Sequence, residues 1–381
     1  MAADVRHVVG CMTGTSIDAI DAALVVVRSR GLGMTASAEG FVSRPLGGAG
    51  ALAGRLRQLA EQAPMSAGDI AALSREFSLL HADVVREVRG SGPLDLVCVH
   101  GQTVFHKPPL SWQMVNGSVI AHEVKVPVVF DLRAADLAAG GQGAPITPIA
   151  DLVLFGSTAE QRAVVNLGGF CNITLLPRLA EAASETDMDA ARRAALPHVR
   201  GGDVCACNHV LDAIARRALG VPFDADGQAA CSGTVHDEAL DDLLGVFAAQ
   251  RAAQRSLGTG DEVASWIGRQ WRGGAGVSGP DLCATACEAI ADAIVRHVAA
   301  RGVEVGRLLL AGGGVKNRAL VRAIGSAATC PAETTAKHGV QPEAREAVCF
   351  AVLGALCQDR VPITLAQVTG VQVPPVAGVW A

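Results

Sequence analysis

The chain has 381 residues, enough for two domains that each bury a core. Half of it is hydrophobic, 18% is charged and the formal net charge is −5, which excludes a disordered chain. With no block of Lys and Arg and no tyrosine, a basic nucleic-acid-binding face lined by stacking aromatics is excluded as well.

The opening MAADVRHVVG lacks the basic, apolar and small-residue order of a signal peptide and runs directly into a strand. Residues 7–27, HVVGCMTGTSIDAIDAALVVV, read as strand, tight turn and strand, with Thr13 to Ser16 in the turn. LDLVCVHGQT (94–103) ends a buried strand on His100, Gln102 and Thr103, and VPVVFDLRAAD (126–136) ends another on Asp131, Arg133 and Asp136. GGQGAP at 140–145 reads as a linker or a ligand loop. Residues 163–176, AVVNLGGFCNITLL, repeat the first hairpin about half a chain later, so two structurally related halves are expected.

The segment 178–200 is Ala-rich and charged and reads as a solvated helix or a flexible excursion without function. It is followed by GGDVCACNHVLD (201–212), then by a helix over 209–219 that carries Asp212. Residues 280–301 form a helix that opens on Pro280, keeps Leu282, Ile290, Ile294 and Val298 on one face and stops at Gly302. RLLLAGGG (307–314) is a strand ending in three glycines, and a helix follows over 315–325. In open α/β sheets ligands gather at such carboxyl ends of strands.

No apolar run reaches about 18 residues, so no membrane span is expected. The 11 cysteines are scattered and odd in number, which reads as reduced thiols in a cytoplasm.

GCMTGTSID is no Walker A loop, because it lacks the Gly-Lys-Ser/Thr ending. Its backbone N–H groups can still meet a phosphate, Thr15 and Ser16 add hydroxyls, and Asp18 and Asp21 can hold a hydrated magnesium. An ordinary hairpin turn explains the same residues. A bare turn explains AGGGVKN as well as a ligand-facing loop does. His100 and His106 read better as satisfied strand-end histidines than as a metal pair. Cys205 and Cys207 need two more ligands to hold zinc, with His209 and His236 as candidates. Cys283 and Cys287 share a helix face and read as core.

Taken in order, MTGTSIDAID, HGQTVFHKPP, FDLRAADLAAGGQGAPITP, NLGGFCNIT, GGDVCACNHVLD, AGGGVKN and QPEAREAVCFAVLG resemble the anhydro-N-acetylmuramic acid kinase family nearly end to end. That family belongs to the actin, hexokinase and heat-shock-protein ATPase superfamily. The resemblance implies an α/β fold of two related ribonuclease-H-like lobes, mixed sheets flanked by helices around an ATP cleft. Residues 1–135 with 362–381 form the N-terminal lobe, and 136–361 form the C-terminal lobe with the catalytic aspartate. It implies a cytoplasmic, homodimeric, ATP- and magnesium-dependent enzyme of cell-wall peptidoglycan recycling. That enzyme opens 1,6-anhydro-N-acetylmuramic acid with water and phosphorylates it to N-acetylmuramic acid 6-phosphate.

By position, Gly14, Thr15, Ser16, Ile17, Asp18, Ala19, Ile20 and Asp21 match the family's ATP-phosphate hairpin, with Asp18 on magnesium through water. Asn166, Gly168 and Gly169 match its second phosphate loop, and Gly312, Gly313, Gly314 and Asn317 its nucleotide side. His100, Gln102, Arg133, Gln142 and Glu346 lie in motifs on the sugar side. Asp203 matches the catalytic base. The family reads Phe-Asp-Thr-Gly-Pro-Gly-Asn where this chain has Gly202-Asp203-Val204-Cys205-Ala206-Cys207-Asn208. Asp203 and Asn208 are kept and two glycines become cysteines, whose β-carbons leave the neighbouring phosphate geometry open. Three rivals stand beside this reading: a related phosphotransferase on another sugar, a nucleotide-dependent sugar sensor, and a thiol-based metal or redox module resting on Cys205 and Cys207.

Overall fold

The computed structural model describes residues 4–47, 51–252, 261–272 and 275–381; the first three residues of the opening segment therefore lie outside it. The strands in chain order are β1 (Val5–Met12), β2 (Ala19–Arg28), β3 (Thr35–Pro45), β4 (Leu96–Val99), β5 (Gln102–Lys107), β6 (Leu110–Met114), β7 (Val128–Phe130), β8 (Arg162–Leu167), β9 (Phe170–Leu176) and β10 (Arg200–Ala206). The short pair β11 (Trp271–Arg272) and β12 (Ala275–Gly276) follows, then β13 (Arg307–Ala311), β14 (Ala332–Thr334) and β15 (Val379–Trp380).

The first sheet has the order β15-β7-β4-β1-β2-β3 and the second β10-β9-β8-β13-β14. In the first, β1, β2 and β3 form an antiparallel meander, and β4 and β7 add in parallel beside β1. In the second, β8, β9 and β10 form the same meander, and β13 and β14 add in parallel beside β8. One topology is thus used twice, as the repeated hairpin leads one to expect. Each hairpin turn, after β1 and after β8, occupies the same place in its sheet.

Period-two alternation divides the strands between cores. Val8 of β1 and Val164 of β8 join a central core, together with the helices Pro148–Phe155 and Arg345–Gln358. Val9 and Cys11 face outward under the helices Leu52–Ala60 and Ala67–Arg89. Val165 and Leu167 face the helices of the second lobe, chief among them Gly279–Ala299. That helix starts as its sequence indicates, with Ser278 accepting from the Asp281 N–H and a proline in the first turn.

Two segments differ from the sequence reading. Residues 178–200 are no solvated excursion: the helix Glu185–Ala195 buries Ala191, Arg192 and Ala195. The Arg192 guanidinium donates to the carbonyls of Leu32, Met34 and Val153, while Asp189 accepts from the Leu32 and Gly33 N–H groups. The helix therefore clasps the β2–β3 connection. The helix Arg345–Gln358 falls within 136–361 by residue number but packs on β1, β2 and β4 of the first sheet. Gly10 lets backbones meet there, since a β-carbon on it would lie 2.0 Å from the Ala347 carbonyl oxygen, and Gly354 makes room for the Cys98 side chain. The lobe division by residue number is a proposal, and these contacts place this helix with the first sheet.

Candidate active site

The β1–β2 turn presents Thr15, Ser16 and Asp18 to solvent, whereas Ile17 and Ile20 are buried in the core and Ile17 takes a φ of 52°. Ser16 Oγ and the Ala19 N–H both donate to Asp18 Oδ1, at 2.7 and 3.0 Å. Arg57 braces the turn from the next helix by donating to the Ile17 carbonyl at 2.9 Å. Of the octet predicted from Gly14 to Asp21, Ile17 and Ile20 thus shape the turn from behind.

Asp21 sits deeper, and its carboxyl is pushed up to about 6, first by burial and then by the negative charges of Asp18, Glu346 and Glu343, against a hydrogen bond with Ser43. A carboxyl raised in the folded state holds its proton while the unfolded chain has lost it, so its contribution to stability falls as pH rises from about 4 to about 6. Asp21→Asn is therefore expected to be more stable than the parent at pH 7, by about 1–3 kcal/mol, with the difference vanishing below about pH 4. Urea unfolding at both pH values checks this; equal stabilities at pH 7 would contradict it.

The β8–β9 turn lies against the start of the helix Asn208–Ile214. The Gly168 carbonyl accepts from the Asn208 N–H, and the Gly169 carbonyl from the N–H groups of Cys207 and His209. A β-carbon on Gly169 would lie 2.5 Å from the His209 ring. Asn208 Nδ2 donates to the Leu167 carbonyl at 3.1 Å. Gly312, at φ 84°, and Gly314 press on Leu167, while Gly313 faces open space. Asn166 is buried with its Oδ1 unpartnered, and Asn317 spends its Oδ1 on the Leu320 N–H at the next helix start.

These residues border a pocket of about 290 Å³ lined by Asn208, Asp212, Phe223, Asp226, Gly313 and Asn317, among others. Phe223 is 57% exposed there, an aromatic face free to stack. Asp224 shapes the same wall by accepting from the Ala229 and Ala230 N–H groups. Phe223, Asp224 and Asp226 were missed in the sequence; the one local signal was an aromatic inside the polar turn VPFDADG.

On the opposite side, Arg133 organises the predicted sugar-side residues. Its Nε and Nη2 donate to His100 Nε2 at 3.0 and 2.9 Å, and its Nη1 to the Gly143 carbonyl at 2.7 Å. His100 Nδ1 meets the Gly101 carbonyl at 2.8 Å, so the ring is a neutral donor–acceptor link. Burial and the adjacent Arg133 charge push its pKa well below the ordinary value. Burial brings Arg133 down to about 10, opposed by Glu346 and Asp203. Gln102 is fully buried, as His100 nearly is, so both support the wall from inside; Gln142 is exposed. Asp136 holds the GGQG loop by accepting from the Gly143 N–H and the Thr369 hydroxyl.

Asp203 opposes Asn172 on β10, which shifts register between Asp203 and Cys205. In a regular strand residues 203 and 205 face one side; the bulge breaks that parity. Asp203 therefore opens to the cleft while Cys205 and Cys207 are 0% exposed in the second core. Cys207 takes φ −123°, which needs no glycine. The two cysteine side chains thus lie in the second core and not at the cleft. Burial pushes the Cys207 thiol well up, and a hydrogen bond with Cys205 does the same to Cys171, so neither is a poised nucleophile. Among the described residues no His, Cys, Asp and Glu cluster could hold a metal on its own. Although solvent reaches Asp203, the surrounding protein raises its carboxyl and Arg133 pulls it back. Burial raises the Asp212 carboxyl, Arg216 pulls it back and the Asp18 charge adds to the rise.

Three comparisons bear on this geometry. The family model described as anhydro-N-acetylmuramic acid kinase matches residues 6–380. A protein of that name from Salinibacter ruber is 35% identical over 96% of this chain and 93% of its own length. Another from Burkholderia thailandensis is 33% identical over 95% and 94%. Among solved structures, component A of the (R)-2-hydroxyglutaryl-CoA dehydratase of Acidaminococcus fermentans aligns over 92% of this chain and 98% of its own, at 13% identity and TM-score 0.45.

Proposed function

The chain belongs to the anhydro-N-acetylmuramic acid kinase family, and we propose that its cleft carries out that family's reaction with Asp203 as the base. The protein is an ATP-dependent kinase, a phosphotransferase with an alcohol acceptor. The observation that carries the assignment of the base is the placement of Asp203. It opens to the cleft at a bulge, five residues before Asn208, which binds the second hairpin turn, and beside Arg133 on the sugar side.

Asp203 takes a proton from a water that attacks the anomeric carbon of the 1,6-anhydro sugar. The bond from that carbon to the bridging oxygen breaks, and the freed 6-oxygen attacks the γ-phosphorus of ATP. ADP leaves and N-acetylmuramic acid 6-phosphate forms. The Arg133 charge pulls the Asp203 carboxyl back toward the ionised form that a base requires, against the surrounding protein. The N–H groups of the two turns, at Gly14 to Asp18 and at Gly168 and Gly169, meet the phosphates, and Gly313 leaves room beside them. Phe223 offers its face to the nucleobase.

Magnesium fits this site as a hydrated ion: Asp18 is exposed at the β1–β2 turn and Asp212 lines the pocket, and among the described residues there is no protein cluster that would cage a bare cation. Held by those two carboxylates through water, it would neutralise phosphate charge.

The test is ADP release with magnesium-ATP and 1,6-anhydro-N-acetylmuramic acid, with the product weighed. ADP that forms only with the sugar, and a product heavier by one water and one phosphoryl group, is expected. A folded protein that releases no ADP would return the reading to another sugar or to a sensor. The same family reading carries two further proposals, a homodimer and a cytoplasmic location. Light scattering checks the first; a monomer would remove it. No helix among the described residues is long and apolar enough to cross a membrane.

A further inference from the structure

Next to the sugar-side residues lies an ion pair that the reaction above does not use. Arg345, the first residue of its helix, is 1% exposed, and Asp151, on the helix Pro148–Phe155, is 0% exposed. Arg345 Nε donates to Asp151 Oδ1 at 2.9 Å and Nη2 donates to Oδ2, a two-pronged contact. Thr174 of β9 donates to the same Oδ2 at 2.7 Å, and Cys349 reaches Oδ1 at 3.7 Å. Three elements therefore converge on one carboxylate: the helix that rides on the first sheet, the connecting helix, and the strand whose Asn172 opposes Asp203.

The charges continue outward in alternation. Asp151 neighbours Arg345, Arg345 precedes Glu346, Glu346 interacts with Arg133, and Arg133 with Asp203. A buried ion pair is a poor source of stability, because desolvation offsets its attraction and an apolar pair of the same shape does as well. Its value lies in fixing where its neighbours stand.

We infer that Asp151 and Arg345 are positioning residues of the kinase reaction: their pair ties the helix start that carries Glu346 to β9, the strand that pairs with β10 at Asp203. The inference rests on the reading of Asp203 as base. Glu346 is faced by Arg345 from its own helix, by Arg133 from the loop after β7, by Asp151 from the connecting helix and by Asp21 from β2. Burial pushes the Glu346 carboxyl up, and Arg345 is the first of the charges that pull it back. Removing the Arg345 charge moves the Glu346 midpoint to higher pH. The acidic limb of kcat/KM moves with it, because the reaction needs both carboxylates ionised.

The experiment compares the parent with Arg345→Gln, Arg345→Lys and the double variant Asp151→Asn/Arg345→Gln. The double variant removes both charges while keeping hydrogen-bonding groups, so it stays folded where the single variant fails. Glu346 is titrated by carboxyl-carbon NMR, its resonance assigned with Glu346→Gln, and kcat/KM is followed against pH. The expected result is a Glu346 midpoint raised by about one pH unit in Arg345→Gln and by less in the double variant, where the Asp151 charge that raises it is also gone, an acidic limb shifted alongside, and both restored in Arg345→Lys. An unmoved midpoint in a folded variant overturns the proposal. So does a moved midpoint with an unmoved limb, which would leave the pair a structural staple. The NMR titration needs no turnover, so failure of the sugar assay is a separate result. Asp203→Asn measured in parallel shows whether the base reading failed instead.

Discussion

Asp203→Asn is expected to lower turnover about 10³- to 10⁴-fold while ATP binding survives. Asparagine keeps the size of aspartate but cannot accept the proton of the attacking water. Asp203 stands outside the turns proposed to meet the phosphates, and the charge that acts on it is Arg133, so removing its charge is expected to leave the β1–β2 turn, the β8–β9 turn and Gly312 to Gly314 as they are. ADP release reads the turnover, and calorimetric titration with a non-hydrolysable ATP analogue reads the binding. A variant with a near-parental rate would remove Asp203 as the base. Loss of both rate and nucleotide binding would mean that Asp203 holds the phosphate loops instead.

Gly10→Ala is expected to cost about 3 kcal/mol or more of stability and to take activity down with it. The added β-carbon would stand 2.0 Å from the Ala347 oxygen, 2.3 Å from the Ala351 nitrogen and 3.0 Å from the Ala351 α-carbon. All three are backbone atoms of a helix that is buried along nearly its whole length, so strand and helix must part. β1 runs from Gly10 into the β1–β2 turn, and the same helix opens on Arg345 and Glu346. A shift between them therefore separates the two sides of the cleft. The urea midpoint should fall with an unchanged m-value, which assigns the effect to the folded state. A variant as stable as the parent would show that β1 and this helix do not pack in this way.

Much of the fold was legible because its determinants are local. Each hairpin is written as an apolar run, a Gly-containing turn and another apolar run, and the structure forms both between the predicted residues. The helix Gly279–Ala299 carries its own cap and proline. The motifs also marked Asp203, Arg133, Glu346 and the three glycine loops as a set. What they do to one another was not legible, because it depends on distances between residues far apart in the chain.

The sequence by itself determined the two meanders, the turns that end them and the residue types on offer at the cleft. Tertiary structure decided their roles. A bulge in β10 turned Cys205 and Cys207 into the core and left Asp203 outside, which no strict period-two reading allows. Packing put His100 and Gln102 inside the wall, so that His100 serves Arg133. Arg192, which reads as a surface charge in an Ala-rich stretch, found three backbone carbonyls around it and was buried. Asp151 and Arg345, 194 residues apart, became one ion pair. In each case the physical reason is the same. Burial and charge pairing act through space, and only the folded chain says which groups share it.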